Sequence, residues 1–264
     1  DLDDDGLIEI NDLSDLDEIR NNLDGTSLYS ANTGCPTDGC NGFELTTDLD
    51  FDTNQDGVMD ASDDYWNDNG RDVGEGWLPI GYLSSNGDAP FSAIFEGNSH
   101  IISNLYIDRQ DMEYIGLFGA TDGAEIRHLS LAGPLMVVKG EKSVGSLVGE
   151  SSNSILINIK NSGAVMDSPF DDDYVGGILG YGRVNNQIIA CINTGTTSGA
   201  RYAGGLVGGF RSGNQIIASF NTGLVRGSTY GSGSVGGGLV GYVAEGANQI
   251  SASFNTGSVD TFRS

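Results

Sequence analysis

The sequence predicts an all-β fold, a β-solenoid of about five to six coils in which similar units stack along one axis. Three observations support this prediction. A phrase close to Gly-Gly-Leu-Val-Gly recurs at 145–149, 176–180, 204–208 and 237–241, with a looser copy at 115–119. A second phrase, Asn-Ser/Thr-Gly, follows in step at 161–163, 193–195, 221–223 and 255–257. Glycine contributes 41 of the 264 residues while only 38% are hydrophobic, which suits a thin rod with a narrow core.

The unit from Tyr202 to Val225 shows what such a repeat requires. Short runs of β-favouring residues, such as 216–220, alternate with Gly, Asn and Ser, which favour turns. The last glycines of the first phrase, at 119, 149, 180, 208 and 241, lie 28 to 33 residues apart. A unit of this length with three short strands cannot bury its own apolar face, whereas stacked copies can. Each unit is therefore expected to form one coil.

The second phrase predicts a ladder of asparagines along the rod. Equivalent residues of successive coils lie one above the other, so their side-chain amides are placed to hydrogen-bond along the axis. The alternative is that each asparagine serves only its own turn. The predicted ladder consists of Asn161, Asn193, Asn221 and Asn255.

The first twelve residues match the calcium loop of an EF-hand. Acidic residues occupy loop positions 1, 3, 5 and 12, and Gly6 allows the sharp turn in the middle of the loop. The predicted ligands are the side chains of Asp1, Asp3, Asp5 and Asp12 and the backbone carbonyl of Leu7. Aspartate at the last position resembles the dockerin variety of this loop. The alternative is a solvated acidic turn.

A second stretch, 52–63, has the same pattern, with Gly57 at the sixth position. The predicted ligands are the side chains of Asp52, Asn54, Asp56 and Asp63 and the backbone carbonyl of Val58. Two complete matches within the first 63 residues of one acidic chain favour calcium as the cofactor at both loops.

The region between and around the loops predicts a small loop–helix cap. Apolar residues at helical spacing after the first loop predict a short helix over 12–24, and alternation over 42–51 predicts a strand. We therefore divide the chain into a calcium-binding N-terminal cap, 1–80, and a solenoid of repeats, 81–264. Such a cap would cover the first coil, as terminal repeats require.

Cysteine usage predicts an oxidising compartment. Cys35 and Cys40 flank a short segment containing Pro and Gly, which favours a small disulfide, with metal binding as the weaker alternative. Cys191 aligns with Ser219 and Ser253 of later coils, so we expect it to be a small residue stacked in the solenoid wall.

The charge of the chain excludes two classes of partner. Its 37 acidic residues outnumber 12 basic ones, giving a net charge of −25, whereas nucleic acids and anionic membranes require a cationic surface. No stretch approaches the roughly 20 apolar residues of a membrane span. Because the chain opens at Asp1 inside a motif, we expect a mature chain or a fragment of a longer one.

The glycine phrase followed by Ile-x-x-Ser-Phe-Asn-Thr-Gly resembles the GLUG-motif repeats of bacterial surface proteins, and 95–107 looks like their usual lead-in. The resemblance covers roughly residues 90–264. Such repeats occur in large adhesins and in some secreted IgA peptidases. The resemblance therefore implies a β-solenoid at the bacterial cell surface, without implying a particular ligand.

These observations predict a non-catalytic, calcium-stabilised structural or adhesive segment of a bacterial surface adhesin. One alternative is the subunit of an extracellular filament in which copies of the chain stack head to tail, since the last coil looks unfinished. The other is a β-helix that binds or cleaves carbohydrate. The aromatic residues considered for stacking on sugars are Tyr174, Tyr181, Phe210 and Tyr230, and the charged residues considered for cleavage are Glu150, Lys160, Asp167, Arg183, Arg201 and Arg211.

Overall fold

A computed structural model shows a parallel β-solenoid of about seven turns. The structure describes residues 1–66, 74–84, 87–167, 174–199, 201–227, 235–244 and 246–260. The fold class predicted from the repeats is therefore confirmed.

The helical part of the described chain is α1 (Leu13–Glu18), followed by a 3₁₀ turn (Ile19–Asn21). The strands are β1 (Leu7–Ile10), β2 (Gly42–Leu45), β3 (Leu49–Asp50), β4 (Ile94–Glu96), β5 (Ile101–Ser103), β6 (Tyr106–Ile115), β7 (Phe118–Asp122), β8 (Glu125–Ala132), β9 (Val137–Gly145), β10 (Val148–Ser152), β11 (Ile155–Asn161), β12 (Ala164–Asp167), β13 (Tyr174–Gly176), β14 (Leu179–Val184), β15 (Gln187–Ile189), β16 (Ile192–Asn193), β17 (Thr197–Gly199), β18 (Tyr202–Gly204), β19 (Val207–Ser212), β20 (Gln215–Ile217), β21 (Phe220–Asn221), β22 (Val225–Gly227), β23 (Val235–Gly237), β24 (Val240–Val243), β25 (Gln249–Ser251), β26 (Phe254–Asn255) and β27 (Val259–Asp260).

Three sheets run along the rod. The first has 13 strands along the path β1, β2, β4, β8, β11, β15, β20, β25. The second has five strands, β7, β10, β14, β19 and β24, and the third has nine, including β9, β13, β18 and β23. Register is kept from coil to coil, so that Leu156, Ile188 and Ile216 pair in one column, and all three are fully buried. The core is thus a set of stacked apolar columns enclosed by the sheets.

The solenoid begins earlier in the chain than the sequence suggested. Strands β1 and β2 pair with each other and then with β4, so the N-terminal region adds strands to the first sheet. This explains why there are about seven turns rather than the expected five to six. These early turns lack the glycine phrase, so the repeat period did not reveal them.

The first two glycines of the phrase are required by close approach of other atoms. A Cβ on Gly204 would lie 1.9 Å from the carbonyl oxygen of Val207. A Cβ on Gly205 would lie 2.4 Å from Cγ of Asn221, and Gly177 and Asn193 have the same relation at 2.5 Å. The second glycine of one phrase therefore packs on the asparagine of the other, which explains why the two phrases recur in step.

The four asparagines form a hydrogen-bonded column. The side-chain amide of Asn161 donates to Asn193 at 2.8 Å, that of Asn193 to Asn221 at 2.9 Å, and that of Asn221 to Asn255 at 2.8 Å. Each of these donors also contacts the carbonyl of the glycine two residues later. The asparagines thus link successive coils and close their own turns as well, which combines the two alternatives considered from the sequence.

The N-terminal helix is shorter than the predicted 12–24. It ends as α1 at Glu18 and continues only through the 3₁₀ turn, because Asn22 leaves helical backbone angles. Its buried face, including Leu16 and Ile19, packs in the same core as the strand residues Phe43 and Phe51. Cys35 and Cys40 form the predicted disulfide, with their Cα atoms 5.2 Å apart.

Cys191 is fully buried, as expected for a stacked wall residue. Its backbone N–H donates to Oγ of Ser219 at 2.9 Å, and the N–H of Ser219 donates to Oγ of Ser253 at 3.1 Å. Burial raises the pKa of the Cys191 thiol to about 12, which keeps it protonated and unreactive. Among the described residues, neither helical segment is long and apolar enough to cross a membrane.

Candidate functional site

The first acidic loop has the backbone conformation expected of a cation-binding loop. The carboxylate of Asp1 accepts the N–H groups of Asp4 and Gly6, both at 2.8 Å, and Asp5 accepts the N–H of Leu7 at 2.8 Å. Asp4 and Gly6 have positive φ angles, of 65° and 89°. These bonds turn the loop back on itself, as side chains at alternate positions must converge to share one ion.

The second loop repeats this geometry at the same loop positions. The carboxylate of Asp52 accepts the N–H of Gly57 at 3.0 Å, and Asp56 accepts the N–H of Val58 at 2.9 Å. Gln55 and Gly57 again have positive φ angles, of 59° and 81°. Two segments that are distant in sequence thus fold into the same kind of turn.

The two loops close differently. In the second loop Asp63, at position 12, accepts the N–H of Thr53 at 2.8 Å and that of Asp60 at 3.0 Å. In the first loop Asp12 caps the helix instead, accepting the N–H groups of Ser14 and Asp15 at 2.8 and 2.9 Å. The loop is closed there by a carboxylate not predicted from the sequence, Glu9, which accepts the N–H of Leu2.

The structure brings together acidic residues around the first loop that the sequence offered no reason to group. Asp1, Asp3 and Glu9 each offer a carboxylate oxygen within 4.8 Å of the others, and Asp3 and Asp5 do so with Glu44. Asp12 belongs to neither group and its carboxylate caps the helix, so its role as a ligand stays a prediction. The position of Glu9 within the loop could have suggested a ligand, whereas Glu44 is recruited only by strand pairing.

Glu9 and Glu44 belong to a charged column on the first sheet. Glu9 pairs in register with Glu44, Glu44 with Glu96, and Glu96 with Arg127. Glu96 is compensated by Arg127, whose Nε lies 2.6 Å from its carboxylate. Burial raises the pKa of Glu44, and the charges of Asp5, Asp3 and Glu9 raise it further, against a hydrogen bond from Asn98. At this end of the column Glu9 pairs with the N-terminal ammonium group at 3.1 Å, and Glu44 accepts a hydrogen bond from the side-chain amide of Asn98 at 2.6 Å.

An acidic cavity of about 440 Å³ lies between the two loops. It is lined by acids from both sides, namely Asp12, Asp48, Asp50, Asp52 and Asp64. The hydroxyl of Tyr65, which follows the second loop, donates to the carbonyl of Leu13 in α1 at 3.1 Å. Both loops are thus held against one folded N-terminal region.

A separate feature lies on the second and third sheets, where four tyrosines meet. Tyr174 stacks on Tyr202 with ring centroids 5.1 Å apart and an interplanar angle of 15°, and it contacts Tyr181 at 4.5 Å. Tyr242 contacts Tyr202 at 4.7 Å. All four are half-buried. We call Tyr174, Tyr181, Tyr202 and Tyr242 the tyrosine platform.

The other two aromatics considered for sugar stacking do not join this platform. Phe210 was expected to be exposed but is fully buried, because its strand directs it into the core while Gly209 faces outward. Tyr230 lies outside the residues that the structure describes.

Two of the charged residues considered for cleavage are brought together beside the platform. Oε1 of Glu150 lies 3.2 Å from Nε of Arg183, and the Glu150 side chain is only 9% exposed. They line a cavity of about 260 Å³ with Asp88, Asp122 and Ser152. Burial raises the pKa of Glu150, partly offset by Arg183. Arg211 lies one coil beyond Arg183, whereas Lys160 lies on another sheet.

Comparisons with known proteins support the fold and the surface character of the chain. No protein-family profile matches it, so the resemblance to GLUG repeats and to dockerin loops stays a prediction. The chain is 30% identical over 190 residues to halomucin of Haloquadratum walsbyi, covering 70% of this chain and 2% of halomucin. It is 38% identical over 80 residues to a protein of Evansella cellulosilytica named provisionally as a Gly-rich membrane protein, covering 30% of this chain and 9% of that protein.

A solved structure from Bacteroides ovatus, assigned provisionally as an immunoglobulin A1 protease, superposes with a TM-score of 0.64. The match covers 97% of this chain and 67% of that one at 18% identity, so it shows a shared fold alone. These findings define the chain as a β-solenoid, and the names of its sequence relatives fit a surface protein. The chain spans only a small fraction of each of the two sequence relatives.

Proposed function

We propose that this chain is a calcium-stabilised structural or adhesive segment of an extracellular surface protein. The observation that carries this proposal is the shared geometry of the two acidic loops, in which Asp1 and Asp52 make the same turn-closing bond to Gly6 and Gly57. Two equivalent turns with carboxylates at alternate positions favour a common ligand over two unrelated solvated turns.

The donor set fits a hard divalent cation. Both loops offer only oxygen atoms, from carboxylates, an amide and backbone carbonyls, which suits calcium and disfavours the softer transition metals. In the first loop the ion would be held by Asp1, Asp3 and Asp5 with Glu9 or Glu44. In the second loop it would be held by Asp52, Asn54, Asp56, the Val58 carbonyl and Asp63.

Calcium would stabilise this fold through charge. The chain has a net charge of −25, and the charges of Asp5, Asp3 and Glu9 add to burial in raising the pKa of Glu44. A bound divalent ion reverses the sign of that local interaction. Because the loops contact β1, β2 and α1, an ion there would secure the first turns of the rod.

The extracellular and structural parts of the proposal have separate support. The Cys35–Cys40 disulfide fits an oxidising compartment, and the names of both sequence relatives fit a surface location. The small share of those relatives that the chain spans favours one segment of a longer protein. The likeness to a protease-assigned structure concerns fold, so the proposed role remains non-catalytic.

Thermal melting with calcium and with chelator tests this proposal. At a calcium concentration about 100 times the Kd, one site contributes about 2.7 kcal/mol, which for a chain of this size corresponds to a rise of roughly 5–10 °C. We expect the Tm to fall by about that amount for each of the two sites when calcium is removed.

Matched variants locate the effect. Asp52→Asn and Asp3→Asn should each remove part of the calcium-dependent rise, because each deletes one carboxylate charge from a loop. Asp260→Asn, at an exposed position on β27, is the control and should keep the full rise. A Tm that is the same in calcium and chelator would contradict the proposal.

A further inference from the structure

The tyrosine platform is not required to complete the solenoid core. The residues facing inward beneath it, Val175, Leu179, Ala203 and Phe210, are already fully buried. The four tyrosine rings lie outside this core and remain half-exposed. Because Tyr174 and Tyr202 stack on each other, the cluster offers a ligand its outer ring surfaces and edges together with the hydroxyl groups.

Gly209 allows the rings to come together. Tyr181, Gly209 and Tyr242 pair in register as one column on the second sheet, with the glycine in the middle. A Cβ on Gly209 would lie 2.4 Å from Cδ1 of Tyr174 and 3.0 Å from Cδ2 of Tyr181. Tyr174 therefore reaches over from the third sheet into the space that the missing side chain leaves.

The cavity that holds Glu150 lies next to the platform. Glu150 pairs in register with Tyr181, so it occupies the same outward-facing column one coil earlier. The cavity of about 260 Å³ thus lies at one end of the rings, along the axis of the rod. No platform tyrosine lines this cavity, and the two features adjoin through the paired residues Glu150 and Tyr181; together we call them the platform–cavity strip.

The charged groups of the strip have both signs, because Asp88 and Asp122 line the cavity with the Glu150–Arg183 pair and the guanidinium of Arg201 lies 5.2 Å from the ring centroid of Tyr202. The carboxylate of Glu150 accepts hydrogen bonds and the guanidinium of Arg183 donates them, and their opposite charges compensate at 3.2 Å. Burial raises the pKa of Tyr174 to about 12, so its ring stays uncharged at physiological pH. A ligand for this strip needs an apolar face and groups that both donate and accept.

These requirements select an oligosaccharide. Sugar rings have an apolar C–H face that packs on aromatic rings, and each hydroxyl can both donate and accept a hydrogen bond. The net charge of −25 disfavours acidic polymers as partners, and the acids Asp88, Asp122 and Glu150 in the cavity oppose the attraction that nearby arginines would exert on one. We propose that the platform–cavity strip binds an uncharged oligosaccharide, whose rings stack on Tyr181 and its neighbours and whose hydroxyls bond to Glu150 and Arg183.

This inference rests on the adhesive role proposed above, to which it adds a ligand class, and it does not depend on the calcium loops. Its test is calorimetric titration of the full chain with cellohexaose, mannohexaose and maltohexaose, with hexagalacturonate as the acidic comparison. We expect at least one neutral oligosaccharide to bind more tightly than hexagalacturonate.

Variants of the strip identify the site. Tyr181→Ala should weaken binding about tenfold, the size of one aromatic contact. Glu150→Gln keeps the shape of the side chain but removes the charge-assisted acceptor, and it should also weaken binding about tenfold. Tyr29→Ala removes an exposed ring far from the strip and should leave binding unchanged. Tyr242→Ala replaces Tyr181→Ala if circular dichroism shows that the latter does not fold.

Several outcomes overturn the inference. These are no binding by any neutral oligosaccharide, equal binding of hexagalacturonate, or full affinity in folded strip variants. Repeating the titration in calcium and in chelator separates the two proposals. Saccharide binding with a chelator-insensitive Tm would support the strip and contradict the calcium loops. A chelator-sensitive Tm without saccharide binding would support the calcium loops and contradict the strip.

Discussion

Asn193 shows how one residue type links four successive coils of the rod. Its amide nitrogen donates to Asn221 at 2.9 Å and to the Gly195 carbonyl at 3.2 Å, and its oxygen accepts from Asn161 at 2.8 Å and from the Gly195 N–H at 3.2 Å. The residue is fully buried, so each of these bonds satisfies a group that water cannot reach. Asparagine is suited to this position because it both donates and accepts.

Replacing this residue tests the column. Asn193→Ala should lower the free energy of unfolding by about 2–3 kcal/mol, because the buried N–H and carbonyl of Gly195 lose the side chain that binds them and Asn161 and Asn221 each lose one bond. Asn255→Ala is the matched control at a half-buried position in the last described coil, where we expect a loss of about 1 kcal/mol. Urea denaturation measures the free energy of unfolding of both variants. Equal losses would show that the stabilisation does not depend on burial of the asparagine.

Helix α1 shows how the role of a residue depends on the element that contains it. Asp12 occupies the last position of an acidic loop and also the position before the helix begins. In the structure its carboxylate accepts two N–H groups of the first helical turn, which would otherwise have no partner. The equivalent Asp63 has no α-helix following it in the described residues and bonds back to its own loop instead.

We therefore expect different outcomes when each of these two aspartates is substituted. Asp12→Ala should destabilise the chain by about 1 kcal/mol, as expected for loss of an N-cap, and should keep the calcium-dependent rise in Tm. Asp63→Ala should reduce that rise, because it removes a proposed ligand. Melting curves of both variants with calcium and with chelator provide the measurement. Loss of the calcium response in Asp12→Ala would support the prediction that Asp12 is itself a ligand.

At the scale of the whole molecule, the dominant property is an excess of negative charge on a rod. The net charge of −25 is spread over a narrow fold, so the acids repel one another wherever no basic partner is near. Mobile ions screen this repulsion, with a Debye length of about 8 Å at physiological ionic strength and about 3 Å at 1 M.

Stability should therefore rise with salt even without calcium. We expect the Tm in chelator to increase by several degrees between about 0.1 and 1 M sodium chloride, because screening relieves repulsion in the folded state. The same titration near pH 4.1, the isoelectric point of the sequence, should show a much smaller rise because the net charge is close to zero. A Tm independent of salt at neutral pH would contradict this explanation.

The sequence by itself determined the features that recur with the period of the coil. Identical units stack in register, so a residue such as Asn193 meets its own equivalent, Asn221, and their contact follows from spacing alone. The positions of Gly6 and Gly57 within their loops were readable for a similar reason, since each loop is a local turn set by neighbouring residues.

Only the tertiary structure decided the contacts between unlike residues of different coils. Glu44 joins Asp3 and Asp5, and Glu150 joins Arg183 and lies next to Tyr181, because of the register of paired strands. No repeated spacing marks these residues, and the angle at each coil corner determines which side chains meet across adjoining sheets. For the same reason the early turns formed by β1 and β2, which lack the repeated phrases, became visible only once the sheet was assembled.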